Sequence, residues 1–540
     1  MDQRWGRALG ASGLALLLCA ASVPAADIRL RPVEPGDTGI GKALEAWKAR
    51  ELARQGGKFG SHGWWPWGLR AFDLDNDGDL DLLPSHHGTP RSIVLKSLLK
   101  ETGKLRFVDV TKELGIDSRQ LPIADDRPML WDVDGDGCID IPNFSDESRV
   151  YVVFNRGGKR LETSKARLHG LSHPHEIIDL NADGYPDVDG GRLGVFIYQP
   201  KTRMFTRDRK RRFPKPDGLP AELAALMVEL KKEKRNRFLR FQFLRYFSTG
   251  RDTVGYRPYP IDLNGDGRGD LVFTGYAAYG GAYLARYLLT AADGKLADKT
   301  TELGLPKDSV PIWIDDLTGD GAPEIITAGK TGGLFTNDGA GKFTLKDSPM
   351  NTFLRKREPY LLRAFPADFD NDGDWDLVLS SPRYGRAEVY ENKGQGEFKL
   401  ALKARAWDSN PIVICDIDND GKMDLLIGGA GKDRKTTIEL YLNETPHAGG
   451  FVQVCPKMAK PNPFAVGAVV EVFQPGELGK EGARPIFTEK AHADGTPVHA
   501  GLGAATTFDL RVSFPAGKRV QKSGLAGNRR LVVTPVAIGL

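Results

Sequence analysis

Seven segments of the chain place acidic side chains at alternate positions around a glycine, in the pattern D-x-(D/N)-x-D-G-x-x-D. Positions 1, 3, 5 and 9 offer side-chain oxygens, and position 7 offers its backbone carbonyl. Calcium takes about six to eight oxygen ligands in a flexible shell, and glycine at position 6 permits the sharp bend that turns them inward. The pattern therefore predicts a calcium site in each segment.

These segments, named loops 1 to 7, are residues 73–81, 132–140, 179–187, 262–270, 316–324, 368–376 and 416–424. The residues at positions 1, 3, 5, 7 and 9 of successive loops are Asp73, Asp75, Asp77, Asp79 and Asp81; Asp132, Asp134, Asp136, Cys138 and Asp140; Asp179, Asn181, Asp183, Tyr185 and Asp187; Asp262, Asn264, Asp266, Arg268 and Asp270; Asp316, Thr318, Asp320, Ala322 and Glu324; Asp368, Asp370, Asp372, Asp374 and Asp376; Asp416, Asp418, Asp420, Lys422 and Asp424. Loop 5 departs from the pattern at positions 3 and 9, so we expect its site to be the weakest.

Two other interpretations of such segments have to be weighed. A single Asp-Gly segment is also typical of a hairpin turn, but seven copies in one register favour metal loops. The beginning of the pattern matches an EF-hand loop, yet the last acid stands at position 9 rather than 12 and the flanks are short β-like runs. An EF-hand is therefore not expected.

The spacing of the loops indicates the elements that must position them. Successive loops start 47 to 59 residues apart, except for one interval of 83, and this period suits a four-stranded propeller blade. A second repeat supports the register, because a short apolar run ends in asparagine at Asn155, Asn337, Asn392 and Asn443. The sequence therefore predicts an all-β fold with a seven-bladed β-propeller over residues 61–446.

The repeats resemble those of FG-GAP or VCBS repeat proteins, over roughly residues 60–446. The resemblance implies that each calcium loop joins the first two strands of its blade. It also implies that all the loops lie together on one face, with the opposite face formed by the other connections.

Three segments lie outside this repeat. Residues 201–250, in the long interval, are basic and predict a helical insert that docks on the blades or, alternatively, binds a membrane or partner. Residues 27–60 predict a strand that closes the ring by completing the last blade, followed by a helix, or else a loose leader. Residues 450–540 break the period and predict a separate small β domain.

The C-terminal segment has a resemblance of its own. The stretches 462–472, 499–503 and 510–518 are similar to the ASPIC/UnbV domain that follows such propellers in cartilage acidic protein-like proteins. Phe514 stands where that family usually has tryptophan.

The first 26 residues predict a signal peptide. Arg4 and Arg7 precede a short apolar run at 14–18, and small residues at 23–26 offer a cleavage site. No segment is long and apolar enough to predict a transmembrane helix. We therefore expect a secreted, periplasmic or cell-surface protein.

Charge indicates the class of partner. The formal net charge is +4 although the loops concentrate acids, so the rest of the chain carries a basic excess. Such a field favours acidic glycans or acidic extracellular proteins as ligands, with nucleic acid not expected outside the cell. The alternative is that these charges only maintain solubility.

Catalytic motifs such as GxSxG and HExxH do not occur in the sequence, and no catalytic residue is predicted. An aromatic and histidine group is the best remaining candidate site, for stacking on sugars, binding a metal or simple packing: Trp64, Trp65, Trp67, His86, His87, His173 and His175. Two hypotheses remain. The favoured one is a non-catalytic binding or adhesion protein for a glycan or protein, and the other is a calcium-assisted carbohydrate-active enzyme such as a polysaccharide lyase.

Overall fold

The protein is described here from a computed structural model. It describes residues 27–34, 36–54, 56–57, 66–86, 92–116, 130–144, 150–163, 176–178, 183–189, 195–202, 204–208, 261–276, 283–293, 296–355, 362–381, 385–405, 411–430, 436–446 and 448–539. Among these residues the helices are Ile40–Arg54, Leu99–Thr102, Asn351–Leu354 and a short 3-10 turn, Pro515–Gly517. Nearly all other regular structure is β, which confirms the all-β expectation.

Seven sheets follow one another along the chain, and each contains one of the loops near its first two strands. We number them as the loops. In sheets 2 and 4 the first strand is reduced to a single β-bridge, Trp131 to Asp140 and Ile261 to Asp270. The other strands of sheets 1 to 4 are Pro66–Phe72, Asp81–His86, Leu95–Ser97 and Phe107–Asp109; Ile141–Phe144, Val150–Asn155 and Leu161–Thr163; Glu176–Ile178, Asp187–Asp189, Val195–Gln199 and Met204–Asp208; Leu271–Tyr276, Tyr283–Thr290 and Leu296–Asp298.

Sheets 5 to 7 have four strands each. Sheet 7 takes its outer strand from the N-terminal part of the chain, where Leu30 pairs with Asn443 and Val33 with Leu440. The strands are Ser309–Asp315, Glu324–Gly329, Gly333–Asn337 and Phe343–Lys346; Arg363–Ala367, Asp376–Ser381, Arg386–Asn392 and Phe398–Arg405; Ile412–Cys415, Asp424–Ala430, Thr436–Asn443 and Leu30–Val33.

The sheets are antiparallel, and their register closes each loop at its base. In sheet 6 the residue before the loop, Ala367, pairs with Asp376 at position 9. The same pairing joins Phe72 to Asp81 and Cys415 to Asp424. The loop is thus a hairpin connection whose last acid is also the first residue of the second strand.

The core lies between neighbouring sheets. Strand Asp376–Ser381 is buried on both faces, and its central residues Leu377, Val378 and Leu379 form a short apolar run. Alternate residues of this strand pack against different neighbouring sheets. Leu377 and Leu379 pack against sheet 5, whereas Val378 packs against sheet 7. Each sheet of this kind needs a partner on both sides.

Sheets 1 and 7 also pack against each other. Leu82 of sheet 1 and Leu426 of sheet 7 belong to one buried cluster. Helix Ile40–Arg54 packs on the same cluster through Leu44 and Trp47, which recur at helical spacing. The first and last sheets of the series are therefore neighbours in space.

The C-terminal region, which we call the tail domain, is a pair of four-stranded sheets around one apolar core. Its strands Gly450–Pro456 and Arg529–Thr534 run parallel, and the other pairings are antiparallel. The two sheets are Val498–Gly503, Gly450–Pro456, Arg529–Thr534 and Ala537–Gly539; Phe487–Lys490, Val469–Phe473, Thr507–Ser513 and Arg519–Ala526.

No helix within the described ranges is long and apolar enough to cross a membrane. The signal segment 1–26 and most of the basic insert, residues 209–250, lie outside the described residues. So do the side chains of the aromatic and histidine group.

The repeated asparagines join four of the sheets, 2, 5, 6 and 7, to the sheet before each of them. The side-chain amide of Asn392, which is fully buried, donates to the carbonyl of Leu317 in loop 5 at 3.0 Å. Equivalent bonds run from Asn155 to Leu74, from Asn337 to Leu263 and from Asn443 to Phe369. In every case the acceptor is position 2 of the preceding loop.

We predict that Asn392→Ala lowers the free energy of unfolding by about 1–3 kcal/mol, because it leaves a buried carbonyl without its donor. Urea denaturation in calcium-containing buffer measures this. Thr344→Ala, at an exposed site on sheet 5, is the control and should change stability by less than about 0.5 kcal/mol. Equal losses in the two variants would contradict this role for the amide.

Candidate metal centres

The loops are shaped by their own carboxylates. At position 1 of loop 1, Asp73 accepts the backbone N–H groups of Asp77 and Gly78 at 3.1 and 3.0 Å. Loops 2, 4, 6 and 7 repeat this pair of bonds. In all seven loops the position 5 carboxylate accepts the backbone N–H of position 7. The acids thus fold the backbone tightly around themselves.

Position 9 attaches the loop to its sheet. One carboxylate oxygen of Asp376 accepts the N–H of Phe369 at position 2, and the other accepts the N–H of Asn392 at the end of the third strand, both at 2.8 Å. Glu324 does the same in loop 5 with its longer side chain, at 2.8 Å to Leu317 and 3.4 Å to Asn337. Glutamate is therefore accommodated at this position.

Position 3 behaves differently from the others. Buried oxygens at this position in five loops receive no hydrogen bond from any described residue: Asp75 Oδ1, Asp134 Oδ1, Asn264 Oδ1, Thr318 Oγ1, and both carboxylate oxygens of Asp370. A buried polar oxygen without a partner costs about 1–3 kcal/mol. Its repetition at one position of the repeat is expected of a metal ligand, because a cation held by each loop would satisfy this oxygen.

Several loops bring three carboxylates together. Ligand atoms within 4.8 Å of one another occur at positions 1, 3 and 9 of loops 1, 6 and 7 and at positions 1, 3 and 5 of loop 2. The groups are Asp73, Asp75 and Asp81; Asp368, Asp370 and Asp376; Asp416, Asp418 and Asp424; Asp132, Asp134 and Asp136. These buried oxygen clusters can hold a metal ion, and an all-oxygen donor set fits a hard cation.

Lysine and arginine side chains already approach two of these clusters. In loop 1 the ammonium of Lys96 contacts Asp75 and lies 2.8 Å from Glu101. In loop 2 Arg156 lies 2.9 Å from Asp134 and 2.6 Å from Asp136. Lysines also act near loops 6 and 7: Lys422 lies 2.9 Å from Asp420 of loop 7, and in loop 6 burial raises the pKa of Asp370 against the opposing charge of Lys393.

Burial raises the pKa of the loop carboxyls. Without a cation, burial raises the pKa of Asp81 to about 8, that of Asp370 to about 8 and that of Asp132 to about 7. Burial, reinforced by neighbouring carboxylates, places the pKa of Asp368 and Asp376 well above the ordinary range. Raised pKa values favour the protonated forms of these groups near neutral pH, unless a cation takes the place of the proton.

The predicted metal ligands of loops 3, 4 and 5 do not form a group of three carboxylates among the described residues. Asp179 and Asn181 of loop 3 lie outside the described residues. Loops 4 and 5 form no group of three carboxylates in the described chain, because Asn264 and Thr318 occupy position 3. At position 7, the guanidinium of Arg268 bonds back to the carboxylate at position 5 of its own loop.

Other position 7 side chains are not arranged alike. Asp79 joins Asp77 and Glu101 in a further carboxylate group. Cys138 is a free thiol, and the amide of Asn76 lies 3.8 Å from its sulfur. Lys422 donates to the carbonyl of Asn443 at 3.0 Å. No common ligand role follows for the side chains at this position.

The tail domain lies directly on loop 6. The backbone N–H groups of Gly449 and Gly503 donate to the carbonyls of Asp370 and Asn371, each at 2.8 Å. A Cβ atom at Gly501 would lie 1.9 Å from a carboxylate oxygen of Asp368. The close approach therefore requires glycine at position 501.

The same domain covers loops 7 and 1. The Gln453 amide donates to the Asp416 carboxylate at 2.7 Å, and Arg530 donates to the carbonyl oxygen of that amide at 2.8 Å. Arg530 also reaches Asn419 of loop 7 at 2.9 Å and the carbonyl of Gly78 in loop 1 at 3.2 Å. The tail domain is thus bonded directly to a carboxylate of a candidate metal site.

Sequence reasoning missed Glu101, Arg156, Gln453 and Gly501. Glu101 and Arg156 come 28 and 24 residues after position 1 of the loops they approach, outside the repeated pattern. The HAGLG stretch, residues 499–503, indicates from sequence only a resemblance to a domain family. Nothing in its spacing indicates that Gly501 rests on Asp368.

Comparison with known proteins identifies part of the repeat. Residues 316–379 and 368–427, which include loops 5 to 7, match the family described as FG-GAP-like repeat. This match supports an FG-GAP repeat protein. No curated protein sequence matches the chain significantly.

Solved structures show only loose similarity. A Photorhabdus luminescens Tc holotoxin pore structure with a TccC3 mutation aligns at 14% identity and a TM-score of 0.32, over 86% of this chain and 23% of that one. BBS1N in complex with ARL6DN aligns at 8% identity and a TM-score of 0.34, over 72% of this chain and 94% of that one. TcdB2-TccC3 without its hypervariable C-terminal region aligns at 13% identity and a TM-score of 0.27, over 82% of this chain and 20% of that one. This chain therefore spans less than a quarter of the two toxin chains, and TM-scores below 0.5 do not define a shared fold.

The raised pKa values predict how metal and pH act together. A carboxyl whose pKa is higher in the folded chain than in the unfolded chain stabilises the fold at low pH, and this stability is lost as pH rises through the folded value. In chelator we therefore expect the melting temperature to fall between about pH 4 and pH 8. Calcium needs the ionised form, so the calcium-induced rise in melting temperature should be larger at pH 8 than at pH 5.

Differential scanning fluorimetry at matched ionic strength, with potassium chloride as the control salt, measures both effects. A calcium-induced rise that is equal at the two pH values, or larger at pH 5, would contradict the assignment of these carboxyls to the metal.

Proposed function

We propose that this chain is an exported calcium-binding protein that binds a glycan or an extracellular protein ligand without catalysis. In this proposal the seven sheets are the blades of one closed seven-bladed β-propeller over residues 61–446. Calcium ions in the loops fix the face on which the tail domain lies.

The order of packing supports the ring. Separate apolar clusters join sheets 1 and 2, 2 and 3, 4 and 5, 5 and 6, and 6 and 7, and one more joins 7 and 1. Between sheets 3 and 4 the chain runs through residues 209–260, outside the described ranges. Strand Leu30–Val33 completes sheet 7, which is how a propeller is commonly closed.

The recurrence of unpartnered position 3 oxygens is the observation that carries the calcium proposal. A metal would supply the missing positive partner at one equivalent point in successive loops. Loops 6 and 7 are favoured as the tightest sites, since each brings the carboxylates of positions 1, 3 and 9 together in a largely buried group. Loops 4 and 5, each with fewer carboxylates, are expected to be weaker.

An ASPIC/UnbV-like identity for the tail domain belongs to the same proposal. The family-like HAGLG stretch, residues 499–503, is the part of the domain that lies on loop 6. The imidazole of His499 lies 2.8 Å from the side-chain oxygen of Asn371, and burial lowers its pKa to about 4, so it stays neutral there. These contacts support a domain fixed to the loop face.

Export and ligand class rest on the sequence. A signal peptide at residues 1–26 would deliver the chain to a secreted, periplasmic or cell-surface location, where roughly millimolar calcium fills even modest sites. The basic excess outside the loops favours an acidic ligand. Uronic or sulfated polysaccharides have the required charge.

An array of glycans and matrix proteins, probed with the purified protein in calcium and in chelator, tests this function. We expect calcium-dependent binding to acidic glycans or to a matrix protein. Incubation with uronic polysaccharides, followed at the ultraviolet absorbance of unsaturated ends, should show no product. Growth of that absorbance would establish the lyase alternative, and a lack of any calcium-dependent ligand would contradict the binding proposal.

A further inference from the structure

The tail domain meets the loops in two ways. Loops 2 and 3 are contacted at their backbone, since a Cβ atom at Gly135 would lie 2.5 Å from the carbonyl oxygen of Pro461 and one at Gly184 would lie 2.7 Å from the Pro461 ring. Loop 5 is also contacted at its backbone, where the guanidinium of Arg484 donates to the carbonyl of Asp320 at 3.1 Å. In loop 7, by contrast, a tail side chain donates to a carboxylate of the candidate metal cluster.

That carboxylate is Asp416, at position 1 of loop 7. Its Oδ2 accepts the backbone N–H of Gly421 at 3.0 Å and the side-chain amide of Gln453 at 2.7 Å. Its Oδ1 accepts the backbone N–H of Asp420 at 2.9 Å. A carboxylate has about four acceptor positions on its two oxygens, so a further position on Oδ1 can take a cation. The Gln453 amide therefore fixes this carboxylate from the side of Oδ2 and leaves Oδ1 able to bind a metal.

The tail domain itself determines the orientation of Gln453. The residue is 4% exposed, and its side-chain oxygen accepts Nε of Arg530 at 2.8 Å. This bond turns the nitrogen end of the amide toward Asp416. Gln453 and Arg530 are paired on neighbouring parallel strands of the tail domain. The donor to the carboxylate is thus held by a sheet, and groups on regular elements are positioned more precisely than groups on loops.

Arg530 extends the connection to loop 1. It donates to the side-chain oxygen of Asn419 in loop 7 at 2.9 Å and to the carbonyl of Gly78 in loop 1 at 3.2 Å. The amide of Asn419 donates in turn to Asp79 of loop 1 at 3.2 Å. Sheets 7 and 1 are the last and the first of the series, so these bonds cross the boundary where the two ends of the series meet.

We propose that Gln453 is a positioning residue for calcium in loop 7, so that metal binding in this loop and docking of the tail domain strengthen each other. Groups that orient a metal ligand through a hydrogen bond contribute about 10- to 100-fold to metal affinity. The effect is reciprocal, because a contact that tightens calcium binding in the docked state must also tighten docking in the calcium-bound state. This inference rests on the calcium binding proposed above and adds the residue that couples it to the tail domain.

The calcium affinity of the full chain, measured by competition with a chromophoric chelator, tests the role of Gln453. Gln453→Met keeps the length of the side chain and removes its donor, and it should weaken one calcium site by about tenfold or more. Gln521→Met, at an exposed position of the tail domain, is the matched control and should bind calcium as the wild type does. Asp418→Ala removes a carboxylate of loop 7, and in this background Gln453→Met should have no further effect on calcium affinity.

The thiol of Cys415 measures docking independently of calcium affinity. Cys415 directly precedes loop 7, is 7% exposed, and lines a cavity together with His492 and Asp494 of the tail domain. We expect calcium to slow maleimide labelling of this thiol in the wild type by about fivefold or more, and to slow it less in Gln453→Met. Peptide mass spectrometry assigns the label to Cys415.

Each outcome bears on a different claim. Equal calcium affinity in Gln453→Met and Gln521→Met would overturn the positioning role while leaving calcium binding intact, even if Gln453→Met were less stable in calcium and in chelator alike. Labelling of Cys415 that calcium does not slow would overturn the coupling to docking. A wild type that binds no calcium would overturn the proposed calcium binding and this inference with it.

Discussion

The structure depends on carboxylates that are crowded together and buried. Loop 6 brings carboxylate oxygens of Asp368, Asp370 and Asp376 within 4.8 Å of one another, and all three residues are buried. Such a group is stable only with protons, with an internal cation or with a metal ion. Loops 1 and 2 have Lys96 and Arg156 in this role, and Lys393 places a positive charge near Asp370 of loop 6.

The same carboxylates organise what surrounds them. Position 9 bonds to the third strand of its own sheet, and the asparagine that ends this strand bonds to the preceding loop. Loop geometry is therefore transmitted from one sheet to the next through a short chain of buried polar contacts. The tail domain adds a further connection, because Gln453 bonds to Asp416 and Gly501 lies against Asp368.

The repeat allowed the loops, the β character and the recurrence of Asn392 and its equivalents to be predicted, because these features are local and periodic. What each asparagine bonds to was not predictable, since its partner Leu317 is 75 residues earlier. The position of the tail domain was also not predictable, because Gln453 and Gly501 act through shape and single contacts that carry no spacing signal. Lys96 and Arg156 appeared only as part of a general basic excess.

The central claim is that calcium, and not protons alone, occupies these clusters, and native mass spectrometry tests it most directly. For protein purified in calcium and transferred to metal-free volatile buffer, the account predicts at least two calcium ions per chain, one each in loops 6 and 7. Their removal by chelator should lower the melting temperature in the same preparation. A chain mass without bound metal, together with a melting temperature that chelator leaves unchanged, would contradict the account.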